Sequence, residues 1–469
     1  MTGESSTPIR RDIRRLAIFA LIYVALAAYW SLRRELWYDE LFVAWIAEQP
    51  SFAAVWTALA AGADNHPPLY YLLAHVTSGS DAGLRAPSII AMLGALLCVF
   101  FSARRLSGAA AGWLSVGLLL SSEAALWAVQ ARSYSLTVLF AAASLLAWQM
   151  RRHSIVAASL ALGMWSGWYC VLLPLPLMAG QWLRDRRDAR AWASLLLPWL
   201  AVLPLLPLAT AATDFKAGFW ATPKITKLMT AHGELFGYVP AVLALGIAAL
   251  MLVGRHAAAE DESGADRAEL AAACCAALLP VAVYLLAVLA TNAFHARAAL
   301  IALPGMAVAA GALMARRARV LAPVALCVGA FHFAAMPLEF PHQNVRAILR
   351  AYEIATTGAT DVPVLLDGEL SLSVQRYRDR ATALVVGDDG NDHVALALER
   401  LSKFAPLTLS RGEHKFRLVT WKSETLERLS QQGYVSRFVA RHGNFSVYDC
   451  ERPETRHPGG QYNTERGNH

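Results

Sequence analysis

The chain has 469 residues, of which 56% are hydrophobic and 16% are charged, and its formal net charge is +7. A soluble globular protein carries closer to about 25% charged residues. Here the charges are missing from long stretches and crowd into the gaps between them, because lipid excludes charge. The composition therefore excludes an ordinary soluble enzyme, and the basic residues indicate membrane topology rather than nucleic-acid binding.

Apolar stretches of about 20 residues cross a bilayer as helices, and about eleven of them follow one another here. The sequence thus predicts a polytopic α-helical membrane protein. The span at 171–183 is short and contains Pro174 and Pro176. If this segment did not cross the bilayer, every later span would cross it in the opposite direction. In chain order, the spans are expected near residues 15–32, 86–103, 108–122, 133–150, 154–170, 171–183, 191–213, 239–254, 270–291, 297–315 and 320–337.

The positions of the arginines give the orientation independently. Arginines at 10–15 precede the first span, and further arginine clusters fall in alternate gaps, near residues 104–105, 151–152, 184–190, 255–267 and 316–319. Since loops on the cytoplasmic side carry the excess of Arg and Lys, we expect a cytoplasmic N-terminus and an extracytoplasmic C-terminal region. The short arginine-rich loops suit the bacterial inner membrane, which would make that region periplasmic.

The first outer loop and the C-terminal region are predicted to fold outside the spans. Residues 41–61 form two amphipathic pieces broken at Pro50, which fit helices lying in the membrane interface. From about 340 onward, helical and strand-like segments alternate, which indicates a small α/β domain. We therefore divide the chain into a transmembrane catalytic domain at 1–338, an extracytoplasmic α/β domain at 339–450 and a disordered tail at 451–469.

Two sites in the first outer loop are candidates for chemistry. Asp39 and Glu40 directly follow the first span. They are either a solvated acidic pair at the interface or include a general base that faces a cleft. His66 precedes Pro67 and Pro68, which start a new helix, and helix N-termini favour anions. The alternative for His66 is simple exposure beside a capping Asn65.

Arginines at the outer ends of spans run against the charge bias. Arg132 precedes Tyr134 at the start of the fourth span, and Arg297 follows His295 at the start of the tenth. Each alone fits a side chain reaching for the interface, but together they suggest a site for a phosphate-bearing lipid. There is no Walker loop, dinucleotide fingerprint or HExxH zinc helix in the sequence, so nucleotide-dependent chemistry is not indicated.

Four segments in this order resemble the C-type glycosyltransferases, in particular the family 39 group related to protein O-mannosyltransferases and the lipid A aminoarabinose transferase. They are Trp37-Tyr38-Asp39-Glu40, His66-Pro67-Pro68-Leu69-Tyr70-Tyr71, Arg85-Ala86-Pro87-Ser88 and Gln130-Ala131-Arg132-Ser133-Tyr134. Weaker matches are Arg297, Leu303-Pro304 and Asn344-Val345-Arg346. The resemblance covers the whole membrane region.

The resemblance implies an inverting transfer of sugar from a polyprenyl-phosphate donor to an acceptor hydroxyl outside the cytoplasm, in the synthesis of cell-envelope glycans or glycolipids. The acceptor would be a glycan, a glycolipid or a protein. Asp39 would be the base, with Glu40 beside it in the catalytic pair. The residues expected to bind the donor phosphate or substrate are His66, Tyr70, Arg85, Arg132, Tyr134, His295 and Arg297.

The chain departs from the family pattern at two positions. Ala131 stands where many relatives carry an acidic residue that can help to organise a metal ion or the donor. The resemblance therefore leaves open whether a divalent metal ion is a cofactor, and it implies no other cofactor. Ala298 replaces the usual aromatic residue after Arg297. Two other classes stay as alternatives, a lipid-linked glycan transporter or flippase and an O-antigen polymerase or ligase. The clustering of polar groups at outer span ends favours the transferase over a transporter, whose charges usually lie near the midplane.

Overall fold

The computed structural model describes residues 7–213, 221–240, 242–243, 245–246, 267–335, 344–357, 362–378, 382–384, 393–404, 408–409 and 413–453. The chain forms two compact units. The first comprises Met1–Phe340 together with Asp389–Ala405, and the second comprises Pro341–Asp388 together with Pro406–His469.

The first unit is helical throughout the residues described. Its α-helices, in chain order, are α1 Thr7–Arg33, α2 Tyr38–Ala47, α3 Phe52–Ala60, α4 Leu69–Thr77, α5 Asp81–Ser107, α6 Ala109–Leu120, α7 Tyr134–Gln149, α8 His153–Met164, α9 Pro174–Arg184, α10 Ala189–Leu196, α11 Leu206–Thr213, α12 Ile225–Phe236, α13 Arg267–Cys275, α14 Leu279–Leu286, α15 Leu303–Leu313 and α16 Ala318–Ala334. Short 3₁₀ segments link several of them, at Glu123–Val129, Trp168–Leu172, Leu197–Leu205, Ala276–Leu278, Ala296–Ala302 and Ala315–Arg317, and a π-helical turn covers Ala287–Thr291.

Six helical stretches in the described part of the chain are long and apolar enough to cross a membrane. They are Arg11–Arg33, Asp81–Ser107, Ala189–Ala212, Arg267–Thr291, Ala296–Leu313 and Ala315–Ala334, and a seventh candidate bends by 72° between Ala109–Leu120 and Glu123–Val129. The prediction of a multi-pass helical membrane protein is thus confirmed. The count of eleven stays a prediction.

The remaining predicted spans are shorter in the structure or lie partly outside the described residues. Those at 133–150 and 154–170 correspond to the shorter apolar helices α7 and α8. The doubtful span at 171–183 is α9, which starts at Pro174, a position where a missing N–H costs nothing. The span at 239–254 falls mostly outside the residues that the structure describes.

Close packing of small residues joins α6 to α16. A Cβ on Gly117 would lie 2.6 Å from the backbone of Ala325, so only glycine allows this approach. Elsewhere in the bundle, apolar side chains stay exposed, for instance Leu21 of α1 at 72% and Leu289 of the π-helical turn at 83%. Lipid provides no hydrophobic force between helices, and close backbone approach with exposed apolar faces is the pattern expected there.

The predicted outer loop, residues 33–85, forms three short helices, as its breaks predict. Pro50 separates α2 from α3, and Ser51 begins α3 by accepting a hydrogen bond on its Oγ from the backbone N–H of Ala54, at 3.2 Å. The helix predicted to start at about Leu69 is α4. Each of these helices is too short to cross a bilayer.

The second unit contains a six-stranded sheet with the order β3-β2-β1-β4-β6-β5. The strands are β1 Val364–Asp367, β2 Thr382–Leu384, β3 Thr408–Leu409, β4 Lys415–Thr420, β5 Val435–His442 and β6 Phe445–Glu451. The first four pair in parallel, whereas β6 pairs antiparallel with β4 and β5. The described residues of this unit also form the helices α17 Val345–Thr356, α18 Gly368–Arg378 and α20 Ser423–Gln431.

The predicted α/β character of the C-terminal region is confirmed, with two differences. The sequence interpretation missed β3, α20 and β5; β5 is an edge strand whose side chains are mostly exposed, so it lacks the apolar signature of a buried strand. Glu451, placed at the start of the tail, ends β6. The rest of the predicted disordered tail from 454 lies outside the described residues.

Helix α19 (His393–Leu401) also departs from the predicted boundary, because it belongs to the first unit and not to a continuous domain at 339–450. Leu398 and Leu401 are fully buried there. The guanidinium of Arg400 donates to the carbonyl of Ala211 at 3.0 Å, and the Gln49 amide donates to the carbonyl of Phe404 at 2.7 Å. Buried leucines and these two hydrogen bonds hold the helix in place.

Gly62 is predicted to be essential for this arrangement. Its φ is +78°, and an added Cβ would lie 2.2 Å from Nη1 of Arg400. We expect Gly62→Ala to lower the free energy of unfolding by at least about 1–2 kcal/mol, the cost of left-handed backbone for an L-residue. Gly79→Ala, which meets no atom within 4 Å, is the control. Thermal unfolding of the purified protein in detergent compares them, and equal midpoints would contradict the assignment.

Candidate active site

A cavity of about 630 Å³ opens in the first unit where the outer-loop turns meet the ends of several helices. Charged and polar groups gather on its wall beside small apolar residues. Its lining is Tyr38, Asp39, Phe42, Ala63, Asp64, Asn65, His66, Arg132, Ser133, Tyr134, Thr137, Gly167, Trp168, Tyr169, Cys170, Val202, Ala209, Ala212, Ala221, Leu286, Ala290, Thr291, Ala293, Phe294, His295, Arg297, Ala298, Ile301 and Ala397.

Asp39 lies in the first turn of α2, where the helix dipole favours a negative charge. Its Oδ2 is 3.3 Å from Nη1 of Arg297 and 3.9 Å from Nη2 of Arg132. The side chain is 20% exposed and contributes to the cavity wall. The structure thus brings the candidate base and both outer-side arginines to one place, although they are up to 258 residues apart in sequence.

Arg132 is held from two sides just before α7. Its Nη1 donates to Oδ2 of Asp64 and to the backbone carbonyl of Asp39, both at 3.1 Å. Its Nη2 lies 3.3 and 3.4 Å from the two ring nitrogens of His66. Only 5% of the side chain is exposed, so this cation is fixed in the wall.

Arg297 is more open than Arg132, with 19% of its side chain exposed. It follows His295 at the start of the 3₁₀ segment Ala296–Ala302, and its guanidinium lies 5.6 Å from the ring centre of Tyr134. Burial and the charges of Arg297 and Lys227 lower the pKa of His295 to about 4. His295 is therefore neutral at neutral pH, and Arg297 carries the positive charge on this side of the cavity.

The turn before α4 places His66 and Asp64 against each other. Nδ1 of His66 is 3.3 Å from Oδ1 of Asp64. Burial and the positive charge of Arg132 lower the pKa of His66 more than Asp64 raises it. Burial raises the pKa of Asp64, but the charge of Arg132 and the contact with His66 lower that pKa by more than burial raises it. The carboxylate therefore stays ionised.

The structure does not bring Glu40, Arg85 or Tyr70 to the cavity, contrary to the roles predicted for them. Glu40 is fully buried, and its Oε1 accepts from Nε of Arg85 at 2.7 Å and from the backbone N–H of Ala131 at 2.6 Å. Its Oε2 accepts from Nη2 of Arg85 at 2.7 Å. Both oxygens of the Glu40 carboxylate thus accept hydrogen bonds from groups inside the protein.

Arg85 and Tyr70 are saturated in the same way. The guanidinium of Arg85, also fully buried, donates to the backbone carbonyls of residues 31, 34 and 35 at 2.7–2.9 Å. The Tyr70 hydroxyl donates to the carbonyl of Leu84 at 2.8 Å and accepts from Ser88 at 3.0 Å. These residues connect α2, α4 and α5 to the C-terminal end of α1. They support the cavity wall without lining the cavity.

Sequence reasoning missed several residues of the wall. Asp64 is two residues before the selected His66, and that spacing within one turn was the available signal. Tyr169 and Thr291, whose hydroxyls are 3.0 Å apart, come from segments 122 residues apart. No local pattern marks such a pair.

The described residues contain no group of three or more His, Cys, Asp or Glu side chains placed to hold a metal ion. The carboxylates that line the cavity, Asp39 and Asp64, both contact arginine. The described part of the chain therefore offers no ligand set that fits the divalent ion left open by the sequence.

Two solved structures share the architecture. ArnT from Cupriavidus metallidurans bound to undecaprenyl phosphate superposes with a TM-score of 0.56 at 13% sequence identity, covering 92% of this chain and 97% of that one. The same protein in the apo state gives 0.56 and 14%, with 92% and 98% covered. No family model and no curated protein matches the sequence. The chain thus has the C-type glycosyltransferase fold, which confirms that resemblance for the fold.

Breaking the buried Glu40–Arg85 pair should destabilise this region. Burial raises the pKa of Glu40, but Arg85 lowers that pKa by more than burial raises it. The pKa of Glu40 in the folded protein therefore lies below its ordinary value. Glu40→Gln leaves Arg85 buried without its counter-charge, and we expect a loss of about 3–5 kcal/mol at neutral pH. Because the folded pKa is depressed, the contribution is present above the unfolded pKa and is lost as pH falls through the folded pKa.

Thermal unfolding of wild type and Glu40→Gln at about pH 7 and about pH 3 measures both effects. The gap between the two proteins should narrow at the lower pH. The exposed carboxylate of Glu48, in the same outer loop, provides the control variant Glu48→Gln. A gap that is the same at both pH values would show that the charge of Glu40 is not the source.

Proposed function

We propose that this protein is an inverting glycosyltransferase that moves a sugar from a polyprenyl-phosphate donor to an acceptor hydroxyl on the extracytoplasmic face of the bacterial inner membrane. Its products would be cell-envelope glycans or glycolipids. The observation that carries the proposal is the position of Asp39 at the cavity wall, with Arg297 at 3.3 Å and Arg132 at 3.9 Å from its Oδ2.

Asp39 supplies the base. Its carboxylate removes the proton from the acceptor hydroxyl while the oxygen attacks the anomeric carbon. The bond from that carbon to the phosphate oxygen breaks as the new glycosidic bond forms on the opposite face of the sugar. Inversion follows from this single displacement, and polyprenyl phosphate leaves with the electron pair.

The two arginines stabilise the departing phosphate. Charge develops on the leaving oxygen in the transition state, and fixed cations in a site with little water lower its free energy. Arg132 is already immobilised by Asp64 and the backbone of Asp39, so it needs little reorganisation. Arg297 is the more accessible cation, and a phosphate that draws it from Asp39 would also free that carboxylate to accept a proton.

The rest of the cavity suits a lipid-linked donor. Small and aliphatic residues such as Ala209, Ala212, Leu286, Ala290 and Ile301 line it beside the charged groups. A ligand with a polar head and an isoprenoid chain presents the same division. The ArnT structure bound to undecaprenyl phosphate, which shares this fold, holds such a molecule.

Asp39→Asn tests the base. The amide keeps the shape but accepts no proton, so we expect transfer to fall by about 10²–10⁴-fold. Membranes that contain the variant or the wild type are supplied with a panel of radiolabelled polyprenyl-phosphate sugars. Asp81→Asn, an acidic residue of α5 outside the cavity lining, is the control. Near-normal transfer by Asp39→Asn would remove Asp39 as the base, and the donor that wild type uses would name the sugar.

Arg297→Ala tests the phosphate contact. Losing one charge-assisted hydrogen bond should weaken binding of undecaprenyl phosphate by about 1.5–3 kcal/mol. Arg132→Ala should weaken it similarly, but it also leaves Asp64 unbalanced, so Arg297 is the cleaner position. The exposed Arg33 at the end of α1 provides the control Arg33→Ala. Titration of the purified protein with the lipid gives the affinities, and unchanged binding by Arg297→Ala would reject this role.

A further inference from the structure

Asp64 neither takes a proton nor contacts the leaving phosphate in the proposed transfer, yet it is among the most constrained groups in the cavity wall. It lies in the turn between α3 and α4, and 11% of its side chain is exposed. Its Oδ2 accepts from Nη1 of Arg132 at 3.1 Å. Its Oδ1 faces Nδ1 of His66 at 3.3 Å and accepts from the backbone N–H of Asn65 at 2.6 Å.

These contacts determine the protonation pattern of His66. An ionised carboxylate only accepts hydrogen bonds, so the contact with Oδ1 requires a proton on Nδ1. The ring stays neutral because burial and the nearby Arg132 cation lower the pKa of His66. In a neutral imidazole with Nδ1 protonated, Nε2 is a hydrogen-bond acceptor. His66 lines the cavity in this form.

The same carboxylate determines which edge of Arg132 remains for other contacts. Nη1 is occupied by Asp64 and by the carbonyl of Asp39. Nη2 lies nearest to His66 and to the carboxylate of Asp39. One buried anion therefore orients the two side chains that stand nearest to the candidate base on this side of the cavity.

We propose that Asp64 is a positioning residue for the transfer reaction. It holds His66 in the Nδ1–H form, so that Nε2 accepts a hydrogen bond from Nη2 of Arg132, 3.4 Å away, or from a hydroxyl of the bound sugar or acceptor when a phosphate draws that cation away. It also holds Arg132 with Nη2 toward the phosphate and Asp39. This inference rests on the proposed glycosyl transfer for its kinetic consequences, while the hold on His66 is a property of the fold alone.

The substitution Asp64→Asn separates these roles from packing. The amide has nearly the shape of the carboxylate but has one acceptor oxygen where the carboxylate has two. Either Arg132 or His66 must then face an NH₂ group, and one of the two loses its partner. Because small misplacements of reacting groups are costly, we expect kcat to fall by about 100-fold, with a much smaller change in KM for the donor.

Nitrogen-15 NMR of the imidazoles supplies a readout that packing alone would not move. The chain contains 13 histidines, so the His66 signal is assigned by its loss in His66→Gln. Wild type should show a single Nδ1–H tautomer, and Asp64→Asn should shift it or mix it with the Nε2–H form. Asp64→Glu keeps the charge and should retain the wild-type tautomer. Asp81→Asn is again the control, and thermal unfolding reports whether each variant is folded.

The outcomes separate cleanly. A shifted tautomer together with the fall in kcat supports the proposal. A kcat within about twofold of wild type in folded Asp64→Asn overturns it, because His66 or Arg132 has then lost its partner without consequence. An unchanged tautomer with a fall in kcat places the amide oxygen on His66 and supports the hold on Arg132. If Asp64→Asn does not fold, the test rests on folded Asp64→Glu, which keeps the carboxylate. Retention of the Nδ1–H tautomer in this variant supports the proposal, and loss of that tautomer overturns it. Wild type that transfers from no donor would reject the proposed function, whereas a tautomer that depends on Asp64 would still support the hold on His66.

Discussion

The buried ion pair between Glu40 and Arg85 is the interaction on which the site depends. Arg85 stands on α5 and reaches the carbonyl groups at the end of α1, while Glu40 stands on α2 and accepts the N–H of Ala131. A buried charge is tolerated only when it is paired and hydrogen-bonded on every side, and here the two side chains and the surrounding backbone groups together supply those partners. Their geometry fixes where α2 begins and where the chain enters α7, and hence where Asp39 and Arg132 are placed.

Adjacent carboxylates acquire opposite roles here because they lie on a helix. Successive residues of an α-helix point about 100° apart, so Asp39 and Glu40 cannot face the same environment. Glu40 points into the protein and binds Arg85, whereas Asp39 points to the cavity and meets the more exposed Arg297. The pair resembles a catalytic dyad in sequence, but in the structure one member is a support and the other is the candidate base.

The charges at the cavity are arranged in alternation rather than in a single patch. Arg297, Asp39, Arg132 and Asp64 follow one another with contacts of 3.1–3.9 Å. Such a network stays nearly neutral without a ligand, which limits the cost of keeping four charges partly out of water. An added phosphate would compete with Asp39 for the arginines, so binding of the donor and release of the base would be linked through one set of contacts.

The sequence by itself determined the class of fold and the candidate base. Hydropathy and arginine alternation indicated a multi-pass membrane protein, since the bilayer imposes length and charge constraints that are local in sequence. The breaks at Pro50 and before Leu69 were equally readable, because proline acts on its immediate neighbours. The motifs around Asp39, His66 and Arg132 singled out segments that the structure brings to one cavity.

Only the tertiary structure decided which of the selected residues share a cavity. Glu40 and Arg85 pair across 45 residues, which no local pattern reveals. The structure left Glu40, Tyr70 and Arg85 off the cavity wall and placed Asp39, His66, Arg132, Tyr134, His295 and Arg297 on it. It also brought in Asp64 and placed α19 with the membrane unit. The reason is physical: a charged side chain is exposed or buried according to the donors and acceptors that folding brings to it, and those come from distant parts of the chain.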